Sequence, residues 1–241
     1  MTALGLSLVL PIYNESEVLE RNLTQIVRHL DGLGESFEVV AVDDGSKDDS
    51  LAILERLGAD EPRLSIERMD RNRGKGSAVK HGVLQAKGER VLFMDADLSV
   101  GVEAIGPLLQ ALDDHDVAIG SRRVPGARIT RRQPWLRETL GRCFTTLTRS
   151  LVAPGIYDFT CGFKAFRAQA ARSIFERVTQ GGWAFDAELI VIAQVQGLSI
   201  AQVPVDWRHE DGSKVRVGSA MFESLGELLR IRSKKKKGLY R

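Results

Sequence analysis

The chain has 241 residues, 43% of them apolar and 27% charged, which fits one globular domain that can bury a core unaided. Thirty-four basic residues against 32 acids leave a formal +2, a balance that by itself argues against nucleic-acid or membrane partners. No apolar run reaches the ~18 residues of a spanning helix, no signal-peptide pattern opens the chain, and Cys143 and Cys161 lack metal or disulfide spacing, so a cytoplasmic protein without zinc or staples is expected.

Leu6–Ile12 is an apolar, β-branched run and predicts a strand; Ser16–Leu30 then places Val18, Leu19, Leu23, Ile26, Val27 and Leu30 at helical spacing. The alternation continues with a strand over Phe37–Val42, a helix over Asp48–Leu57, a strand over Leu64–Met69, a helix over Lys75–Ala86 and a strand over Arg90–Met94. Such alternation predicts an α/β, Rossmann-like fold, a mostly parallel sheet flanked by helices. Ligands of these sheets bind beyond the carboxyl ends of the strands. The residues there are Pro11-Ile12-Tyr13-Asn14-Glu15, Asp43-Asp44-Gly45-Ser46-Lys47-Asp48, Arg71-Asn72-Arg73-Gly74-Lys75-Gly76-Ser77 and Asp95-Ala96-Asp97. Any one of these reads equally well as a turn or a helix cap. Four on one edge point to a binding site.

Asp95 and Asp97, one residue apart at a strand end, are two like charges that a hard divalent cation would neutralise; Mg²⁺ or Mn²⁺ held by carboxylates plus substrate phosphates is the usual arrangement. The glycine-rich stretch before the next helix would let backbone N–H groups approach a phosphate. It is no Walker loop, because Met69 replaces the first glycine and Gly76 follows Lys75, and no GxGxxG follows the first strand. A nucleoside diphosphate bridged by one metal is the economical ligand.

Together these four motifs resemble the family 2 inverting glycosyltransferases of GT-A fold. The resemblance implies that Pro11, Tyr13, Glu15 and Asp44 border the nucleoside, that Asp95 contacts the nucleotide sugar, and that Asp97 holds the metal-bridged diphosphate. Asp43, Arg71, Gly74, Lys75, Ala96 and Lys214 join the donor site, with Asp95 and Asp97 as metal ligands. In the second half, Gly120-Ser121-Arg122, Thr160-Cys161-Gly162-Phe163-Lys164, Trp183-Ala184-Phe185-Asp186-x-Glu188 and Gly212-Ser213-Lys214-Val215 resemble the branch that charges a lipid phosphate, the dolichyl- or polyprenyl-phosphate sugar synthases. TxCGFK followed by WAFDxE is closer to the glucosyl members, which favours glucose over mannose or an N-acetylhexosamine. Leu98-Ser99 departs from them, since glucosyl relatives often have a glycine after the acidic pair.

A lipid phosphate is already an anion and needs no general base. It needs a cationic seat, for which Arg122, Arg131 and Arg132 are the candidates. Thr160, Gly162, Lys164, Trp183 and Asp186 complete the expected acceptor side, and Asp95, Asp97 and Arg122 the catalytic set. Asp186 and Glu188 are two apart on a predicted helix and cannot share a face, so one is expected to pair an arginine. Cys161 reads as a buried filler. Lys214 and Arg216 sit on a Gly-Ser turn that either closes over a diphosphate or is merely solvated.

The charge is unevenly spread. Ser121–Ser150 holds eight arginines and one glutamate, +7, and Arg230–Arg241 holds seven bases and no acid, another +7, leaving −12 on the remainder. Trp135–Leu151 and Met221–Ile231 are amphipathic and are expected to serve as interface helices near anionic lipid, the first against the alternative of packing on the sheet, the second with its basic tail against that of a disordered solubilising tail. The expected organisation is one domain over residues 1–229, donor half 1–120 and acceptor half 121–229, then a basic tail 230–241, peripheral on the cytoplasmic face of a membrane. A homo-oligomer or a membrane-anchoring partner stays open. The rival readings are a transferase with a carbohydrate or protein acceptor and a non-catalytic membrane-surface module. A nucleotidyltransferase ranks low, because Pro11–Glu15 lacks its glycine-rich loop.

Overall fold

The structure, a computed structural model, describes residues 4–131, 145–146, 148–150, 152–182, 184–208 and 217–241. The alternation predicted for the first half is present: β1 (Leu6–Ile12), α1 (Leu19–Gly32), β2 (Phe37–Asp43), α2 (Ser50–Asp60), β3 (Leu64–Arg68), α3 (Lys75–Gln85) and β4 (Arg90–Met94). α4 (Ile105–Gln110), β5 (Val117–Ser121), β6 (Arg128–Arg131), β7 (Phe163–Arg167), α5 (Ala168–Arg177), α6 (Phe185–Val195), β8 (Ile200–Pro204), β9 (Asp206–Arg208) and α7 (Val217–Lys236) follow.

Seven strands form one sheet in the order β3-β2-β1-β4-β7-β5-β8. β1 pairs in parallel with β2 and β4, β2 with β3, and β5 with β8; β7 alone runs antiparallel, inserted between β4 and β5. The inner strands are buried on both faces, so they read as continuous apolar runs. One face packs through Leu8, Leu10, Leu23, Ile26 and Leu92, and the other through Val9, Val79, Phe93, Phe175 and Phe185. Phe93, Phe166, Phe175 and Phe185 form an aromatic cluster on that second face.

Two expectations from the sequence concern the second half of the chain. Trp135–Leu151 lies mostly outside the described residues. The Met221–Ile231 helix belongs to α7, which continues across the expected 229/230 boundary to Lys236; its Leu228 and Ile231 are fully buried against the body. Burying these side chains costs nothing in unpaired polar groups, whereas a free amphipathic helix would leave them in water. No helix among the described residues is long and apolar enough to cross a membrane.

Candidate active site

The strand ends are tied to one another by side chains, which builds the site as a unit. After β1, Asn14 adopts φ 56°, a left-handed conformation that Asn tolerates. Its N–H donates to Ser46 Oγ at 3.0 Å and its side-chain Oδ1 accepts from the Lys47 N–H at 2.7 Å. Glu15 N–H donates to Ser50 Oγ, and Asp48 accepts from the N–H groups of Ser16 and Ser50 at 3.1 and 3.0 Å. These bonds outweigh the cost of partial burial and hold the Asp48 carboxyl down to about 2. Pro11, the penultimate residue of β1, lies opposite Val42 of β2, and Tyr13 just past the strand is half-buried.

Asp43 and Asp44 are both buried. Asp43 accepts from the Ser46 N–H at 3.2 Å. Asp44 spans to the next loop, taking the N–H of Arg73 at 2.7 Å on one oxygen and of Gly74 at 2.9 Å on the other. Burial raises its carboxyl above the usual range, the two amides oppose this, and the Asp43 charge adds to it. Arg71 packs its backbone against Gly45, whose φ of 69° and lack of Cβ allow that approach.

The glycine-rich loop corrects one expectation. Its amides are largely engaged within the protein: Arg73 and Gly74 donate to Asp44, Gly76 donates to the Gly181 carbonyl at 2.8 Å, and Ser77 donates to the Gly74 carbonyl. Gly74, at φ 92°, is required where the chain turns into α3 against Gly181. The group this loop presents is therefore the Lys75 ammonium rather than a nest of amides.

At the end of β4, Asp95 pairs with Lys75 at 2.5 Å. Ala96 is buried, and its carbonyl accepts from Asn22 Nδ2 of α1 at 2.8 Å, which fixes the acidic turn to the helix behind it. Asp97 accepts from the Ser99 N–H at 2.9 Å. Burial, then the neighbouring Asp95 charge, push the Asp97 carboxyl upward; burial opposes the Lys75 charge but Asp95 and Asp186 outweigh it, so the ammonium is held more firmly protonated. Leu98 adopts φ 54°, the left-handed conformation that favours glycine. That conformation gives a backbone reason for a glycine at this place.

The second half of the chain adds charge from β5 and β7. Arg122, just past β5, makes a bidentate pair with the fully buried Asp158 at 2.7 and 2.8 Å and donates to Thr160 Oγ1 at 2.9 Å. Its guanidinium also lies 5.4 Å from the Trp207 ring centroid. Gly162 touches the acidic pair directly: a Cβ there would run into Asp95 and come within 2.5 Å of Lys75 Nζ. We expect Gly162→Ala to displace these two flexible charged ends and lower turnover about tenfold with a stability loss near 1 kcal/mol, checked by kinetics and thermal unfolding on one preparation.

Lys164 and Asp186 do not face solvent. Lys164 is fully buried and donates to the carbonyls of Phe159 and Cys161, at 3.0 and 2.6 Å, and to Asp186. Asp186 is raised by burial, against which Lys164 and then Lys75 pull it down. Its partner is thus a lysine, where an arginine was expected. Lys164, Asp186, Lys75 and Asp95 make an alternating chain of charges from the core to the cleft. Cys161 is buried, which pushes its thiol up to about 12 and leaves it a filler. Arg131 is exposed on β6, which pairs with β9 in a two-stranded ribbon. Arg132, Trp183, Lys214 and Arg216 lie outside the described residues.

The ribbon covers the acidic turn, since Arg208 N–H donates to the Ser99 carbonyl at 2.9 Å. Between ribbon and α1 a cleft of about 320 Å³ opens beside Asp97, walled by Arg21, Gln25, Thr130, Trp207 and Arg208. Among the described residues no group of three or more His, Cys, Asp or Glu side chains is arranged to hold a metal ion. The two carboxylates suit a hard cation that completes its shell with diphosphate oxygens and water, as Mg²⁺ and Mn²⁺ do at phosphate sites. The donor set therefore fits such an ion only together with its substrate.

Residues 7–175 match the glycosyl transferase family 2 model, which spans β1 to α5 and every strand end just described. The chain belongs to glycosyl transferase family 2. Among its relatives in that family, the dolichyl-phosphate beta-glucosyltransferase ALG5C of Trichomonas vaginalis is 34% identical over 235 residues, covering 92% of this chain and 69% of that protein. The dolichyl-phosphate beta-glucosyltransferase of Homo sapiens is 31% identical over 252 residues, covering 98% of this chain and 77% of that protein. Glucosyl-3-phosphoglycerate synthase from Mycobacterium tuberculosis, solved with Mn²⁺, UDP-glucose and phosphoglyceric acid, superposes with a TM-score of 0.73 at 20% identity, over 95% of this chain and 80% of that one. That likeness establishes the GT-A fold of this family 2 glycosyltransferase. Asp158 and Asn22, which the motifs do not contain, hold Arg122 and the acidic turn in place; an acid inside the apolar stretch Gly155–Phe163 is the one sequence sign of the first.

Proposed function

We propose that this glycosyltransferase moves glucose from UDP-glucose to a dolichyl or polyprenyl phosphate at a membrane surface, with inversion at C1 and with Mg²⁺ or Mn²⁺. The observation that carries the reading is the meeting of Asp95, Asp97 and Lys75 at the end of β4, two anions and a cation at the convergence of four strand ends. The similarity to dolichyl-phosphate beta-glucosyltransferases over nearly the whole chain supports the choice of sugar and acceptor.

In this reading Pro11, Tyr13, Glu15, Asp43 and Asp44 border the nucleoside, and Arg71, Gly74, Lys75, Ala96 and Lys214 the diphosphate and sugar. An acceptor phosphate oxygen attacks C1 from the face opposite the nucleotide; the new C1–O bond forms as the bond to the diphosphate breaks, and UDP leaves with its electron pair. The phosphate enters as an anion, so no residue has to remove a proton. Asp95 and Asp97 would hold the cation, which supplies charge stabilisation to the departing diphosphate. Lys75 adds a fixed positive charge on the same side, and alignment supplies much of the remaining rate. Arg122, held rigid by Asp158, and Arg131 with Arg132 provide the acceptor phosphate's cationic seat, with Thr160, Gly162, Lys164, Trp183 and Asp186 shaping its floor.

The test is purified protein with Mn²⁺, labelled UDP-glucose, UDP-N-acetylglucosamine or GDP-mannose, and polyprenyl phosphate in mixed micelles. Glucose on lipid from UDP-glucose is the expected result. Label on a soluble acceptor with none on lipid would replace the acceptor, and no transfer from any donor would overturn the reading.

A further inference from the structure

A buried pair of ionisable groups lies outside the reaction centre. Glu188, on α6, is fully buried and accepts from the Thr179 N–H at 2.7 Å, the Thr179 hydroxyl at 2.8 Å and the Gln180 N–H at 2.8 Å. Its fourth partner comes from the far end of the chain: the Tyr240 hydroxyl, itself buried, donates to Glu188 Oε1 at 2.7 Å. Lys234 approaches the same carboxylate at 3.8 Å and donates to the Thr179 hydroxyl. Lys235 donates to the Val152 carbonyl, and Arg177 to the Arg241 carbonyl. Burial and the Glu188 charge both keep the Tyr240 phenol protonated, so it stays a donor.

The segment that Glu188 holds is the one against which the donor loop closes. Gly181 accepts the Gly76 N–H at 2.8 Å, and Gly74 and Gly76 both meet this segment without room for a Cβ. Lys75 stands between those two glycines and reaches Asp95. On the α7 side, Leu228 and Ile231 are buried in the same cluster as Phe185 and Val178.

We infer that Tyr240 and Lys234 latch the 179–182 segment through Glu188, so that the last turns of the chain set the position of Lys75 and with it the affinity for a nucleoside diphosphate. They are positioning residues. This rests on the donor reading given above for its affinity part alone. It also gives Lys234, one of the seven basic residues of 230–241, a task on the protein body.

Tyr240→Phe keeps the ring in the core and removes only the donated hydrogen bond. In the free protein, amide hydrogen exchange over residues 74–77 and 179–182 should quicken about fivefold, the scale of one lost hydrogen bond. In calorimetry with Mn²⁺, UDP should bind about fivefold more weakly, and KM for UDP-glucose should rise with it while KM for the lipid stays within twofold. Lys234→Ala should act in the same direction, and Leu239→Ala, at an exposed neighbour, should change neither quantity. Unchanged exchange in these segments overturns the latch, whether or not the melting temperature falls. Faster exchange with unchanged UDP affinity overturns its link to the donor. Failure of the unsubstituted chain to bind UDP overturns the donor reading and the affinity part, while the exchange comparison still decides the latch.

Discussion

Asp97→Asn should lower transfer by roughly 10³-fold while leaving the folded protein as stable as before or more so. Asp97 is half-buried, and burial together with the Asp95 charge disfavours its ionised form. Its folded carboxyl therefore lies above the unfolded one, and ionisation at neutral pH costs the fold stability rather than adding it. An amide of the same shape relieves that repulsion and still accepts the Ser99 N–H. The same change removes one of the two carboxylates proposed to hold a cation against the diphosphate, an interaction of several kcal/mol at the transition state. A structural residue would lose stability and activity together; here the two should part. Steady-state kinetics beside a urea titration checks it. Activity within tenfold of the unsubstituted protein would show that Asp97 is dispensable.

How much of this site is legible in the sequence follows from where each interaction is local. β1 to β4 and their helices are readable because each parallel strand is one apolar run and each covering helix has an apolar stripe, features confined to ten or so residues. The four polar edges are readable for the same reason. β7 is not: Phe163–Arg167 alternates weakly, and its antiparallel place between β4 and β5 is decided by pairings about 70 and 45 residues away in sequence. The use of the loop amides was hidden too, since Asp44 reaches them from the end of β2 and Gly181 from the connection between α5 and α6. Lys164 and Asp186 read as acceptor-side residues in the sequence. Only the packing of β7 on α6 turns them into a buried pair with further carbonyl acceptors, the condition under which such a pair is tolerated. The C-terminal bases read as a tail because nothing in the run of lysines shows that Tyr240 returns to Glu188.

Asp158→Ala should destabilise the protein by about 3–5 kcal/mol, the cost of leaving a mostly buried cation without its partner. Arg122 is only 16% exposed at its side chain and Asp158 not at all; two side-chain hydrogen bonds and one from the Arg122 N–H join them. Loss of Asp158 leaves Thr160 as the nearest remaining acceptor for the guanidinium. The pair also sets an acid limit. Burial raises the Asp158 carboxyl, but the Arg122 charge and hydrogen bonds outweigh it and hold the group at about 2, below the usual 3.8. A carboxyl lowered by folding stabilises the folded state above its unfolded value, and that contribution fades as pH falls from about 4 toward 2. Stability measured by urea should therefore drop across that window in the unsubstituted protein by about 2 kcal/mol more than in Asp158→Asn. Parallel curves for the two proteins would mean that Arg122 gains its rigidity elsewhere, and the fixed guanidinium proposed to receive the acceptor phosphate would lose its support.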